Sequence, residues 1–222
     1  MIPSVGAIAL CRLGSSENAV SALLQVLQQM KYRVCSALGI SDQAYSNVQD
    51  WVLGTLQGSG ASPCLWLANT CVLLGAISKQ SSGLTLIDPR RARSQTRSAE
   101  TYVDDTELLL SMEQTPLEEL AREMQGLAQF CEQLLYTTGG TLVLEKCFFV
   151  AMDRNFKNDQ YTLKTKEEMQ VTIALTSGAY YLSIKEIPQK DVCEGSRNLG
   201  AMLAPQGNNQ DEFKKLIHTG KK

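Results

Sequence analysis

The chain has 222 residues, enough for one domain with a real core, and its 44% hydrophobic and 20% charged residues exclude a disordered or fibrous class. Lysine and arginine number 21 against 23 acidic residues, a formal net charge of -2, so no global positive field holds a polyanion and any nucleic-acid contact must be local. Seven cysteines without a CxxC pair, and a single histidine, His218, argue against zinc and a disulfide framework and for reduced thiols in an intracellular compartment, cytoplasmic or nuclear. No signal-peptide pattern is seen, and the most apolar stretch, "PCLWLANTCVLLGAI", is only 15 residues long, so neither a leader nor a membrane partner is expected.

In chain order, "PSVGAIALCRL" predicts a helix that starts at Pro3 and stops at Gly14. In "SENAVSALLQVLQQM", Val20, Leu23, Leu24, Leu27 and Met30 recur at helical spacing and predict a second helix packed on the first. Residues 32 to 53 carry short β-prone pieces. A glycine-rich loop then leads into "SPCLWLANTCVLLGAISK", a helix apolar enough to be buried on most of its surface. "DPRRARSQTRS" is basic and serine-rich and reads as an exposed connector.

The next stretch, "SAETYVDDTELLLSM", predicts a β-hairpin with Asp104 and Asp105 at its tip. Thr115-Pro116-Leu117-Glu118 then reads as a capping box opening a helix over about 116 to 136. Its stripe of Leu117, Leu120, Ala121, Met124, Leu127, Ala128, Cys131, Leu134 and Leu135 faces a core, and Gly139-Gly140 ends it. The β-prone runs "TLVLEKCFFVAM", "MQVTIAL", "AYYLSIKEI" and "RNLGAMLAP" follow, before a short charged helix near the C-terminus. The pattern predicts an α+β domain over residues 1–222, with helices packed on one face of a largely antiparallel sheet.

Four stretches stand in order: "LQGSGASPCLW" (56 to 66), "YVDD" (102 to 105), "TGGTLVLEKC" (138 to 147) and "NLGAMLAPQG" (198 to 207). This order resembles the palm of reverse transcriptases of the retrotransposon type, over nearly the whole chain. The resemblance implies a polymerase-palm-like fold and RNA-directed DNA synthesis on an RNA or DNA template-primer with deoxynucleoside triphosphates. Such nucleotidyl transfer uses two Mg2+ (or Mn2+) ions about 4 Å apart, held by hard carboxylate oxygens.

By the resemblance, Asp104 is a metal ligand, Asp105 supports it and Tyr102 lies along the primer. Gln57 and Gly58 belong to the loop that meets template and nucleotide. Lys146 is a cation near the leaving pyrophosphate, a candidate general acid. Arginines 90, 91, 93 and 97 serve as phosphate contacts or as a solvated loop.

The chain also departs from the family. It begins at the helix that follows the first catalytic aspartate, so that strand, the fingers and the thumb are expected to be missing, and Leu56 replaces a proline before Gln57. The expectation is an incomplete palm that does not polymerise alone. Two alternatives are a non-catalytic nucleic-acid- or protein-binding module and an unrelated structural α+β domain.

Overall fold

The computed structural model describes residues 3–29, 31, 33, 35–37, 39–43, 62–88, 90, 92–102, 105–157, 160–177, 183–198, 201–203, 205, 207 and 210. Four α-helices and fourteen short strands lie among them. α1 (Pro3–Arg12) and α2 (Glu17–Gln29) form the N-terminal pair. Gly14 takes φ 95° after α1, where a side chain would be strained. The Ala19 N–H donates to Ser16 Oγ at 3.3 Å, capping α2.

β1 (Cys35–Ser36) and β2 (Gly39–Ile40) are what residues 32 to 53 contribute to the described sheet structure. α3 (Ser62–Gln80) packs on α1. It is not buried on most of its surface as expected, because its neighbours cover one side. Leu65, Ala68, Asn69 and Ile77 are buried, whereas Leu67 is 63% exposed and Cys64, Cys71 and Val72 are open to solvent.

The basic connector is also more ordered than expected. β3 (Leu84–Asp88) and β4 (Arg93–Arg97) pair antiparallel. Asp88 Oδ1 accepts from the Arg90 N–H at 2.9 Å, Ala92 takes φ 49°, and the hydroxyls of Thr85 and Thr96 meet at 2.8 Å across the pair. This local turn chemistry outweighs the polar composition. Its exposure is as expected: every residue of β4 faces solvent.

β5 (Ala99–Tyr102) and β6 (Asp105–Leu108) form the expected hairpin, except that Asp105 does not stand at the tip: it opens β6 opposite Tyr102, because the ladder runs one residue further than expected; α4 (Leu117–Thr137) follows. The helix starts differently from expectation: Pro116 occupies the N-cap and has no side-chain acceptor. Thr115 Oγ1 instead donates to the Glu113 carbonyl at 3.2 Å. At the other end Gly139 takes φ 80° and the Gly140 N–H donates to the Leu135 carbonyl at 2.9 Å, so the glycine stop is formed as expected.

β7 (Phe149–Val150) is all that "TLVLEKCFFVAM" contributes as strand, because residues 144 to 146 form a turn. β8 (Arg154–Lys157) pairs with β9 (Gln160–Leu163), and a 3-10 turn covers Lys166–Glu168. β10 (Ile173–Ser177) pairs with β11 (Ser183–Ile187), β12 (Gln189–Lys190) runs parallel to β7, and β13 (Ser196–Asn198) pairs with β14 (Ala201–Leu203). The expected C-terminal helix falls largely outside the described residues, with only Gln210 helical among them.

Helices and mainly antiparallel strands coexist, as an α+β domain requires. The single sheet is not formed among the described residues: seven two-stranded ladders stand apart. α4 supplies a physical reason at the ladder nearest the core. Gln129 Oε1 accepts from the Thr176 N–H at 2.9 Å and from Thr176 Oγ1 at 3.0 Å, and its Nε2 donates to the Thr176 carbonyl at 3.0 Å. One step along, Gln125 Oε1 accepts from the Ala174 N–H at 2.9 Å. Two glutamines one helical turn apart thus occupy the free edge of β10, where another strand would add.

α4 is wedged between two clusters. Ala121, with Met124 and Ala128, packs on Leu144, Ile173, Leu175 and Ile187. Leu127 and Cys131, with Leu134 and Leu135, pack on Ile77 of α3 and on Ala99 and Leu108 of the hairpin. Every position of the predicted stripe is buried or half-buried. Burial pushes the Cys131 thiol up to about 11, with the neighbouring Glu132 charge adding to it, so this thiol stays protonated and unreactive near neutrality.

Gln129→Ala strips the β10 edge of three hydrogen bonds and leaves half-buried backbone groups without them. Each such group costs roughly 1 to 3 kcal/mol, so a loss of about 2 to 3 kcal/mol in a urea titration is expected. An unchanged midpoint would show that the edge is satisfied in another way.

Candidate functional site

The hairpin is built up from its base. The Leu109 N–H donates to the Ser98 carbonyl at 2.8 Å and the Ser111 N–H to the Gly83 carbonyl at 3.1 Å. Gly83, at φ 67°, admits no side chain, since a Cβ there would lie 2.7 Å from the Arg97 carbonyl oxygen. Ser98 is buried, and Ala99 and Leu108, directly paired, press into the cluster of Ile77, Leu127 and Cys131. The base is therefore held between α3 and α4 while the strands run outward.

Toward the tip, Glu100 pairs with Glu107, Thr101 with Thr106 and Tyr102 with Asp105. Thr101 Oγ1 donates to the Asp105 carbonyl at 3.1 Å and lies 3.2 Å from Thr106 Oγ1. Asp105 is exposed and opens β6. Asp104 lies outside the described residues, as do Gln57 and Gly58, so the expected meeting of the glycine-rich loop with the Asp-Asp turn falls there too.

The alternation of a strand puts Glu100, Asp105 and Glu107 on one face of the hairpin. Their oxygens are the right donor type for Mg2+. They do not gather into a cage: Glu100 is ion-paired with Arg97, and among the described residues no group of three or more His, Cys, Asp or Glu is arranged to hold a metal ion. No step through a metal follows from this arrangement. Beside the hairpin, a cleft of about 460 Å³ is lined by Leu74 and Ser78 of α3 and by Thr96 to Thr101. Arg97 and Glu100 balance each other in its wall.

Lys146 belongs to a different part of α4's surroundings. Its N–H donates to the Val143 carbonyl at 2.8 Å, closing an exposed turn, and Leu144 anchors that turn in the cluster of Ala121 and Ile173. Its neighbour Glu145 pairs with Lys185 at 2.8 Å, which holds the Glu145 carboxyl below the usual carboxylate range.

Glu132 organises this region, and sequence reading passed it over. It is 2% exposed. The Leu142 N–H donates to its Oε2 at 2.6 Å, and the hydroxyls of Thr141 and Ser177 each donate to its Oε1 at 2.8 Å. One carboxylate thus joins α4, the segment after the helix and the end of β10. These donors occupy its oxygens and make it an anchor. The available signal was spacing: Gln125, Gln129 and Glu132 follow at i, i+4 and i+7 beside the apolar stripe. Among the described residues no helix is long and apolar enough to cross a membrane. Compared with protein families, curated proteins and solved structures, the chain matches none of them.

Proposed function

We propose that the chain is part of a polymerase palm of the retrotransposon reverse-transcriptase type, and that by itself it does not polymerise. The observation supporting this is the β5–β6 hairpin: its register leaves only residues 103 and 104 between the strands, with Asp105 exposed at the start of β6. The four ordered sequence stretches add to it. In this reading Asp104 is a metal ligand supported by Asp105, Tyr102 lies along the primer side, Gln57 and Gly58 meet template and nucleotide, and Lys146 serves the leaving group. Mg2+ or Mn2+, when bound, would supply the charge neutralisation that phosphoryl transfer needs.

A non-catalytic binding module on the same scaffold is a second reading, favoured by the ion pair that ties Glu100 to Arg97. Phosphoryl transfer depends on holding the attacking hydroxyl and phosphorus in line, and a pair of carboxylates without a further bridging ligand does not do so.

Primer extension on an RNA template with Mg2+ or Mn2+ tests both readings. The 222-residue chain is expected to give no product. A version extended upstream through the strand and fingers that the resemblance implies should extend the primer and lose this activity on Asp104→Asn. Extension by the 222-residue chain itself, abolished by Asp104→Asn, would overturn its assignment as inactive. Extension by the longer version that is indifferent to both Asp104→Asn and Asp105→Asn would remove the palm assignment. Template-primer binding in EDTA with no activity from any version would favour the binding module.

A further inference from the structure

We infer that the β8–β9 ribbon is a binding platform for single-stranded nucleic acid, formed by Arg154, Phe156 and Tyr161. This rests on the ribbon's own chemistry and does not need the palm reading. The register sets Phe156 directly opposite Tyr161 and Arg154 opposite Leu163, so the pleat brings Arg154, Phe156 and Tyr161 to one face. The two rings are among the most exposed large apolar side chains described, Phe156 at 77% and Tyr161 at 62%. Their centroids are 6.5 Å apart with planes tilted by 51°, so they touch as a pair yet leave ring surface open to solvent.

The Arg154 guanidinium lies 5.2 Å from the Tyr161 ring centroid, and no carboxylate pairs with it among the described residues. The nearest acid in sequence, Asp153, is taken by Lys164, which holds its carboxyl below the usual range. The ribbon itself, residues 154 to 163, carries two basic side chains, Arg154 and Lys157, against one acidic, Asp159.

Exposed rings beside an unpaired cation fit one ligand chemistry better than others. Bases stack on aromatic faces irrespective of sequence, and a guanidinium takes the phosphate between them. A duplex hides its base faces, so the ribbon should prefer a single strand. A purely apolar protein partner would leave Arg154 desolvated without a counter-charge.

The test is fluorescence anisotropy of a labelled oligo-dT with the full chain in EDTA. The full chain should bind it, and bind a duplex of the same length more weakly. Phe156→Ala and Tyr161→Ala should each weaken binding by about ten-fold, in line with the loss of one stacked base. Phe156→Trp should retain binding, which separates stacking from a folding defect. Arg154→Gln should lower the slope of log affinity against log salt by about 0.7, one phosphate contact on a single strand.

No oligo-dT binding, equal binding of the duplex, or alanine variants that bind as tightly as the wild type would each overturn the inference. So would sedimentation showing that the ribbon joins two copies of the chain in a dimer lost on Phe156→Ala. Because the ribbon shares no residue with the hairpin or the Lys146 turn, failure here leaves the palm reading standing, and failure of the palm reading leaves the ribbon standing.

Discussion

Leu127→Asp abolishes cooperative folding. Leu127 is 6% exposed and sits where α4 meets Ile77 of α3 and the paired Ala99 and Leu108 at the hairpin base. Removing it from this cluster forfeits roughly 1.5 to 3 kcal/mol of apolar burial. Placing an ionised carboxylate there adds several kcal/mol more, or forces the group to take up a proton. Domains of this size hold only about 5 to 15 kcal/mol in total, so the sum consumes most of the stability. A thermal melt followed by circular dichroism should show no sharp transition, whereas Gln133→Asp on the exposed side of the same helix should melt within about 0.5 kcal/mol of the wild type. An undiminished transition in Leu127→Asp would mean that this face is not core.

Glu132→Ala produces the second-largest loss, roughly 3 to 5 kcal/mol, although it removes a charge rather than an apolar group. The side chain holds three donors from two segments, the Leu142 N–H and the hydroxyls of Thr141 and Ser177. Hydrogen bonds to a charged group are worth about 1.5 to 3 kcal/mol each, and the half-buried Leu142 N–H keeps its desolvation penalty when left behind, whereas the hydroxyls of Thr141 and Ser177, 2.7 Å apart, still have each other. The three share one acceptor group, so their losses do not add fully. Glu132→Gln should recover part of the loss, since an amide keeps one acceptor oxygen. Amide hydrogen exchange locates the effect: protection of the Leu142 N–H should collapse in Glu132→Ala while that of α3 changes little. Equal loss of protection throughout would show global destabilisation rather than release of this segment.

The contrast between these two residues marks how much was legible beforehand. Leu127 was placed in the core from spacing alone, because an amphipathic stripe over twenty positions leaves a helix one way to face the interior. The hairpin was equally legible, since turn-forming residues between two strand-prone runs act locally. So were the glycine stops at Gly14 and Gly139, where only the backbone's own conformation counts.

Tertiary structure decided everything that depends on partners distant in sequence. Gln125, Gln129 and Glu132 look like ordinary solvated helix residues until β10, some 45 positions onward, brings its free edge against them. That contact in turn fills the edge at which β10 would have continued a sheet. α3 shows the reverse case: its apolar composition called for burial, but burial is set by what packs alongside, and α1, α4 and β5 cover only part of it. Composition, periodicity and turn chemistry are local quantities, so one chain determines them unaided. Which polar groups lose water, and which apolar groups keep it, is a property of pairs of surfaces, and only the folded arrangement brings those surfaces together.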